Sequence, residues 1–303
     1  MHYKRLFIIR MNNLDAIYDF ILNELRKLTL NENFYFKPIK PKLSDLELIA
    51  INISAEYLSL DSEYHLFRYL SNSKLKGMIE RSVYNRRKRK LFLHMENIRK
   101  IMVDRFHDIE SIFIVDSMPL EICKNARANR SKICKEDEFS FPSKGYCASQ
   151  SSYYYGYKLH AICSVSGIFQ SFDFSTASID DIHFLQDIKH QMKNCTLIGD
   201  RGYLSTQVQT DLFNYANIKL DTPMRSNQKN YHKQKYIFRK SRKRIETLFS
   251  QLCDQFKIRN NYAKSFNGFK TRILSKITAL TFIQFVNVFV FNRKMNKIKV
   301  SLI

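Results

Sequence analysis

Two aspartates stand at the ends of two short apolar runs of the sequence. Asp116 follows the run from Ser111 to Val115, and Asp200 follows the run from Thr196 to Ile198 after one glycine. Functional side chains of α/β sheets collect where strands end, because the loops there leave side chains exposed above a rigid base. If the two predicted strands are neighbours, their carboxylates converge. An aspartate at such a place can also be a turn or cap residue, and the sequence leaves both interpretations open.

A third acid, Glu246, comes from a predicted helix over Arg239 to Phe256. At 100° per residue, Glu246 lies beside the apolar stripe of this helix and not opposite it. The surrounding stretch from Arg225 to Lys264 is strongly basic, with 12 Lys and Arg against Glu246 and Asp254. A boundary glutamate paired with Arg242, four residues earlier, is the alternative interpretation.

Three converging carboxylates suit metal-dependent phosphoryl transfer. Mg²⁺ takes oxygen ligands and keeps several waters, so carboxylates are its natural protein partners. Two such ions about 4 Å apart can activate a water or a 3′-hydroxyl and stabilise the leaving oxygen. The sequence contains no H-E-x-x-H, C-x-x-C, P-loop or G-x-S-x-G motif that would favour another chemistry. If Asp116, Asp200 and Glu246 converge, they are suited to binding two Mg²⁺ ions, for which Mn²⁺ can substitute.

The elements around these acids predict an α/β domain. Strand-like runs over 155–165 and 168–175 are separated by Ser166-Gly167, which is typical of a hairpin turn. A helix is predicted to begin after Asp180 and Asp181, and further helix, strand and helix patterns follow towards the C-terminus. This order is typical of a mixed sheet covered by helices.

The first 107 residues predict helices instead. Apolar residues recur at helical spacing, and Ser44-Asp45-Leu46-Glu47 has the form of a capping box. Several short helices joined by tight turns resemble a helix-turn-helix arrangement. We therefore predict a helical DNA-binding region over residues 1–107, a catalytic domain over 108–292 and a basic tail over 293–303.

The formal net charge of +22 predicts a polyanionic partner. Basic residues in the helical region, on a predicted strand, in a loop and on the last helices are candidates for contacts with DNA phosphates. A solvated charged surface is the alternative for each of them, and a structural role is favoured for His160. The candidates are Arg86, Arg87, Lys88, Arg89, Lys158, Arg225, Lys229, Arg242 and Lys257.

The location expected from the sequence is cytoplasmic. The six cysteines form no C-x-x-C pair, which favours reduced thiols in a cytosolic protein over a disulfide framework. The most apolar stretch, Ile273 to Phe291, is interrupted by Lys276, Gln284 and Asn287. It therefore predicts a buried helix and no membrane span.

Five motif blocks occur in a specific order: Ile114-Val-Asp-Ser-Met-Pro119, Tyr155-Gly-Tyr-Lys-Leu-His160, Leu197-Ile-Gly-Asp-Arg-Gly-Tyr203, Thr222-Pro-Met-Arg-Ser-Asn-Gln228 and Arg242-Lys-Arg-Ile-Glu-Thr-Leu-Phe249. With these blocks the chain resembles the DDE-type transposases of bacterial insertion sequences, most closely insertion-sequence family 982. The resemblance implies that Asp116, Asp200 and Glu246 are the three catalytic acids. It also implies a ribonuclease-H-like catalytic domain.

Related DDE enzymes often have a Tyr-x2-Arg-x3-Glu-x6-Lys signature around the third acid. Arg242 and Glu246 keep its central spacing, whereas Arg239 and Cys253 stand at the Tyr and Lys positions. We expect Lys257, one helical turn beyond Cys253, to present a similar charge.

The resemblance implies cleavage at the ends of an insertion sequence and joining of the 3′-hydroxyl to target DNA. The implied partners are double-stranded DNA, as terminal inverted repeats and as target, and further copies of the chain in a homodimer or larger assembly. Three alternatives stay open: a metal-dependent DNA nuclease without joining, a non-catalytic DNA-binding protein, and a decayed copy that folds without transposing.

Overall fold

The computed structural model describes residues 14–36, 38–106, 111–227, 231–299 and 301–302. The chain divides into two compact units. The helical unit comprises residues 1–105, 255–262 and 270–303, and the sheet unit comprises residues 106–254 and 263–269. The compact units are thus divided differently from the predicted domains, because the end of the chain belongs with the N-terminal helices. The functional division into 1–107, 108–292 and 293–303 stays a prediction.

The N-terminal part of the helical unit is made of helices, as the spacing of its apolar residues predicts. They are α1 (Leu14–Leu28), α2 (Asp45–Tyr57), α3 (Glu63–Leu70), α4 (Arg81–Lys90) and α5 (Phe92–Asp104). The capping box at the start of α2 is formed. The Glu47 amide donates to Ser44 Oγ at 3.1 Å, and the Ser44 amide donates to Glu47 Oε2 at 2.6 Å. These bonds satisfy amide groups that the first turn of a helix leaves without partners.

The longest helix, α9 (Phe266–Phe289), is apolar and long enough to cross a membrane. It is instead largely buried within the protein. From Lys270 onwards it belongs to the helical unit, where Lys276 Nζ lies 2.6 Å from Glu56 Oε2 and 2.6 Å from the Phe256 carbonyl oxygen. A buried ammonium group is tolerated because it has these partners. The prediction of a buried helix is confirmed.

A mixed sheet forms the centre of the sheet unit. Its strands are β1 (Ile112–Cys123), β2 (Ser143–Cys147), β3 (Ser152–Ser164), β4 (Phe169–Thr176), β5 (Cys195–Ile198) and β6 (Ile218–Asp221). The strand order is β2-β3-β1-β5-β6, and β4 also pairs with β3. The first four strands pair antiparallel, whereas β5 runs parallel to β1 and β6 runs parallel to β5. The predicted α/β class, with a mixed sheet and a preceding helical region, is confirmed.

The helices packed on the sheet include α6 (Leu185–Ile188), α7 (Thr206–Ala216) and α8 (Tyr236–Asp254). The helix α8 contacts β1, and its Phe249 ring stacks on Phe169 of β4. Val115, Ile162 and Leu197 of the sheet belong to one buried cluster with Leu185 of α6 and Leu212 of α7. The helix predicted after Asp180 is therefore present, but it consists of a 3-10 turn over Asp181–Phe184 followed by the short α6.

Candidate active site

Asp116 lies inside β1 and not at its end. The strand continues to Cys123 because it stays paired with β3, where Asp116 stands opposite Ala161. Its pairing with β5 covers only Ile112 to Ile114. The strand boundary expected at Asp116 is therefore wrong, but the residue lies just beyond the point where β1 loses its parallel neighbour. That gap in the sheet leaves its side chain half-buried.

Asp200 follows β5, the strand beside β1. It caps the 3-10 turn over Arg201–Tyr203, and its Oδ1 accepts a hydrogen bond from the Gly202 amide at 2.8 Å. The preceding Gly199 lies against the ring of Tyr203, where a Cβ atom would be 3.1 Å from Tyr203 Cδ2. The absence of a side chain at residue 199 therefore allows the turn to fold closely under Asp200.

Asp200 affects Asp116 electrostatically. Burial, together with the charge of Asp200, raises the pKa of Asp116 to about 7. The Ser117 amide, which donates to Asp116 Oδ1 at 2.8 Å, and the Arg242 guanidinium lower this pKa, while Asp181 raises it. A carboxylate held in such surroundings gains from a cation beside it, because opposite charge favours the ionised form.

Glu246 lies on α8, whose apolar stripe of Ile245, Leu248, Phe249 and Leu252 is buried. The Glu246 side chain is exposed beside this stripe, as its helical position predicts. Within the described part of the chain, Glu246 forms no ion pair with Arg242, the alternative that the sequence leaves open. Arg242 instead faces Asp116 closely enough to lower its pKa.

The described residues contain no set of three His, Cys, Asp or Glu side chains close enough to hold a metal ion. The structure thus brings Asp116 and Asp200 into one electrostatic environment without closing a triad around Glu246. The donor chemistry nevertheless fits Mg²⁺. Carboxylate oxygens are hard ligands, and an ion that keeps several of its waters needs only one or two of them from the protein.

Sequence reasoning missed the role of Asp181, which it treats as an acid at the start of a helix. Asp181 Oδ1 lies 3.0 Å from Lys158 Nζ, and the same ammonium group donates to the Ile179 carbonyl oxygen at 2.8 Å. Lys158 was expected to contact DNA, but in this structure its side chain is largely buried in an internal ion pair. The sequence contained a signal for this pair. Lys158 lies on one strand of the predicted hairpin, and the Asp180-Asp181 dipeptide follows the other strand, β4.

His160 is buried and hydrogen-bonded, in agreement with the structural role favoured by the sequence. Its Nε2 lies 2.7 Å from Ser175 Oγ, and its ring stacks on Phe184. Burial lowers the pKa of His160 to about 4, so the ring is neutral at physiological pH.

Two of the four predicted DNA contacts on α4 point into the helical unit. Arg87 Nη2 donates to Asp45 Oδ1 at 2.8 Å and to the Leu43 carbonyl oxygen at 2.9 Å. Lys88 is buried, with its Nζ 3.0 Å from Glu63 Oε1. The expectation that these two contact phosphates is therefore corrected, whereas the side chains of Arg86 and Arg89 are exposed.

Of the remaining candidates, Arg225 and Lys257 lie outside helices and strands. Arg225 is exposed after β6, and Lys229 falls outside the described residues. Lys257 was expected one helical turn beyond Cys253, but α8 ends at Asp254 and Lys257 adopts a φ of 50°. The expectation that it continues the charged face of α8 is wrong, because the helix has already ended.

Comparison with known proteins identifies one family. The family model described as "Transposase DDE domain" matches residues 107–282. One solved structure, "Mos1 transposase paired-end complex with left transposon end", is similar at 13% identity with a TM-score of 0.23, covering 84% of this chain and 81% of that chain. A similarity at that score carries no argument about fold or function. No curated protein sequence matches this chain.

Proposed function

This chain belongs to the family of transposase DDE domains, and from that premise we propose that it cleaves DNA at the ends of an insertion sequence and joins the freed 3′-hydroxyl to target DNA. The finer assignment to insertion-sequence family 982 rests on the five motif blocks of the sequence. The proposed partners are the terminal inverted repeats, the target duplex and further copies of this chain. The proposed location is on nucleoid DNA in the cytoplasm.

The observation that carries the proposal is the electrostatic coupling of Asp116 and Asp200 beside the gap between β1 and β5. Each carboxylate is presented by backbone that the sheet fixes, with Asp116 held through its pairing with β3 and Asp200 through its hydrogen bond to the Gly202 amide. Rigid support of this kind is what a phosphoryl-transfer site needs, because small displacements of the reacting groups slow the reaction strongly.

Asp116 and Asp200 would hold Mg²⁺, and Glu246 would join them from the exposed flank of α8. When bound, the metal ion makes the attacking oxygen more nucleophilic and offsets charge on the leaving oxygen. Arg242 offsets negative charge near Asp116 and is suited to contact a DNA phosphate there. Arg239, Lys240 and Lys243 are exposed along the same helix and would hold the flanking backbone.

The test uses purified protein and labelled DNA carrying the ends of its own element, with Mg²⁺ or with a chelator. Wild type is compared with Asp116→Asn, Asp200→Asn and Glu246→Gln, and with Asp254→Asn as a matched control on the same helix. We expect nicking and joining to require Mg²⁺, to fall by about 10³-fold or more in the first three variants, and to persist in the control. DNA binding is measured in parallel and is expected to persist in all of them.

Each alternative function gives a different result in this assay. Cleavage without joined products would favour a metal-dependent nuclease. Binding without cleavage, equal in wild type and variants, would contradict an active enzyme and favour a DNA-binding protein or a decayed copy.

A further inference from the structure

Asp181 shares the surroundings of the two proposed catalytic aspartates. A Cβ atom on Gly202 would lie 3.0 Å from Asp200 Oδ1 and 3.7 Å from Asp181 Oδ2, so both carboxylates flank the same point in space. The charge of Asp181 also raises the pKa of Asp116. Asp181 and Asp200 therefore flank one point from separate elements, and Asp181 is near enough to Asp116 for its charge to affect it.

Two buried polar groups without hydrogen-bond partners face these aspartates. The hydroxyl group of Tyr203 belongs to a fully buried side chain and has no partner of regular geometry among the described residues. Burial raises its pKa, and the charges of Asp181, Asp116 and Asp200 raise it further. The Ser117 hydroxyl is near enough to lower that pKa, but too poorly placed for a regular bond.

The second such group is Nδ1 of His160, which is 2% exposed and also without a partner in the described structure. It lies 3.9 Å from Asp181 Oδ1. Buried polar atoms normally have partners, and exceptions are informative because an ion or a water often supplies what is missing. Both exceptions therefore point to a further ligand beside Asp181.

One cation already occupies part of this environment, and it belongs to the protein. The Lys158 ammonium group lies 3.0 Å from Asp181 Oδ1, with side-chain exposures of 15% and 26% for the two partners. Lys158 is also tied to the Ile179 carbonyl oxygen, which fixes the ammonium group near the start of the 3-10 turn. Lys158 beside Asp181, together with Arg242 beside Asp116, supplies two positive charges against three carboxylates. A divalent cation would balance the cluster better, since it attracts each carboxylate more strongly.

We propose that Asp181 is a further carboxylate of the cation site, and that the Lys158 ammonium group holds its place in the metal-free protein. Binding of a divalent cation then competes with Lys158 for Asp181. The displaced ammonium group becomes available to a phosphate of bound DNA. This inference rests on the proposed function, because it assumes that Asp116 and Asp200 bind a divalent cation.

The test measures Mn²⁺ binding to the full-length protein without DNA, by electron paramagnetic resonance of the free ion. Asp181→Asn is compared with Asp180→Asn, its exposed neighbour, whose side chain makes no cap hydrogen bond. We expect Asp181→Asn to weaken Mn²⁺ binding by about 10-fold or more and Asp180→Asn to leave it unchanged. Equal binding by these two variants would overturn the proposal.

Lys158→Gln separates competition from structural support. If Lys158 competes with the cation, this variant binds Mn²⁺ several-fold more tightly than wild type. If Lys158 only supports the fold, the variant binds Mn²⁺ equally or more weakly, which would overturn its role as a stand-in cation. The opposite signs expected for Asp181→Asn and Lys158→Gln also exclude misfolding as a common cause, because misfolding weakens binding in both.

Asp116→Asn and Asp200→Asn distinguish this inference from the proposed function. If wild type binds no Mn²⁺ beyond what these two variants bind, the metal-dependent function fails and the inference fails with it. If both variants lose binding while Asp181→Asn keeps it, only the inference is contradicted.

Discussion

Asp116 is the residue whose chemistry is set most strongly by its surroundings. It is held in a half-buried place where β3 pairs with one edge of β1 and no strand covers the other. Burial and the charge of Asp200 raise its pKa from the ordinary value of 3.8 to about 7. A protein keeps such an unfavourable carboxylate where function needs it, and perturbed carboxylates collect at active sites for that reason.

This pKa predicts how stability depends on pH. Because the pKa of Asp116 is higher in the folded protein, its contribution to stability is complete below about pH 4 and is lost as the pH rises through about 7. The uncharged variant Asp116→Asn does not show this loss of stability as the pH rises. In the presence of a chelator, the variant should therefore be more stable than wild type at pH 8, by on the order of 3 kcal/mol, and closer to wild type at pH 4.

Thermal unfolding of both proteins at several pH values checks this prediction. Asp19→Asn removes one partner of an exposed ion pair in the helical unit and serves as the control. The difference in unfolding temperature between this variant and wild type should change little with pH. A difference between Asp116→Asn and wild type that is the same at pH 4 and pH 8 would contradict the account of Asp116.

At the scale of elements, α8 carries adjacent residues of which one is expected to support stability and the other catalysis. Ile245 is completely buried, whereas the adjacent Glu246 is exposed. Ile245→Ala should lower the free energy of unfolding by about 3 kcal/mol, because it leaves a cavity in the core. Glu246→Gln should change it by less than about 0.5 kcal/mol and yet abolish DNA joining. Chemical denaturation and the joining assay measure the two effects, and a destabilised Glu246→Gln would show that Glu246 supports the fold instead.

The helix α4 divides its basic residues in the same way. Lys88 is buried against Glu63, so Lys88→Ala should destabilise the protein by about 3 kcal/mol by leaving a largely buried carboxylate without its partner. Arg86 and Arg89 are exposed, so replacing both by Ala should weaken DNA binding and leave the unfolding midpoint unchanged. Equal DNA affinity of this double variant and wild type would remove α4 from the proposed DNA surface.

Periodicity predicted most elements because it reports which face of each element is buried. The strands β3 to β6, the helix α7 and the capping box of α2 lie where the sequence places them. The hairpin strand β2 was missed, because Ser143 to Cys147 has neither an apolar run nor a regular alternation. Its stability comes from pairing with residues 152–156 of β3 across the intervening turn, which the pattern of apolar residues does not report.

The positions of the two aspartates were easier to predict than the surroundings of the basic residues. Asp116 and Asp200 follow apolar runs that mark buried strands, so their convergence depends only on the order of two strands. The partners of Lys88 and Lys158 lie on other elements, Glu63 on α3 and Asp181 after β4. From the sequence alone, every residue of a basic run is expected to be exposed. Only the fold shows which of them form ion pairs inside the protein.

At the scale of the whole molecule, the net charge of +22 is the dominant property. Binding to DNA should release many counterions, so the affinity should fall by about 10³-fold or more between about 50 mM and 200 mM salt. Replacing Arg86 and Arg89 by Ala should reduce the slope of log affinity against log salt by about 2. Filter binding or fluorescence anisotropy over a salt series measures both, and an affinity that is independent of salt would contradict a phosphate-binding surface.

The central claim is that one site, containing Asp116 and Asp200, transfers phosphoryl groups between DNA strands. The most direct measurement uses a pre-cleaved element end with a free 3′-hydroxyl, so that joining is observed without the preceding cleavage. Wild type should join this end to target DNA when Mg²⁺ is present, and Asp200→Asn should bind the same end equally well without joining it. Joining by Asp200→Asn at the wild-type rate would contradict the claim.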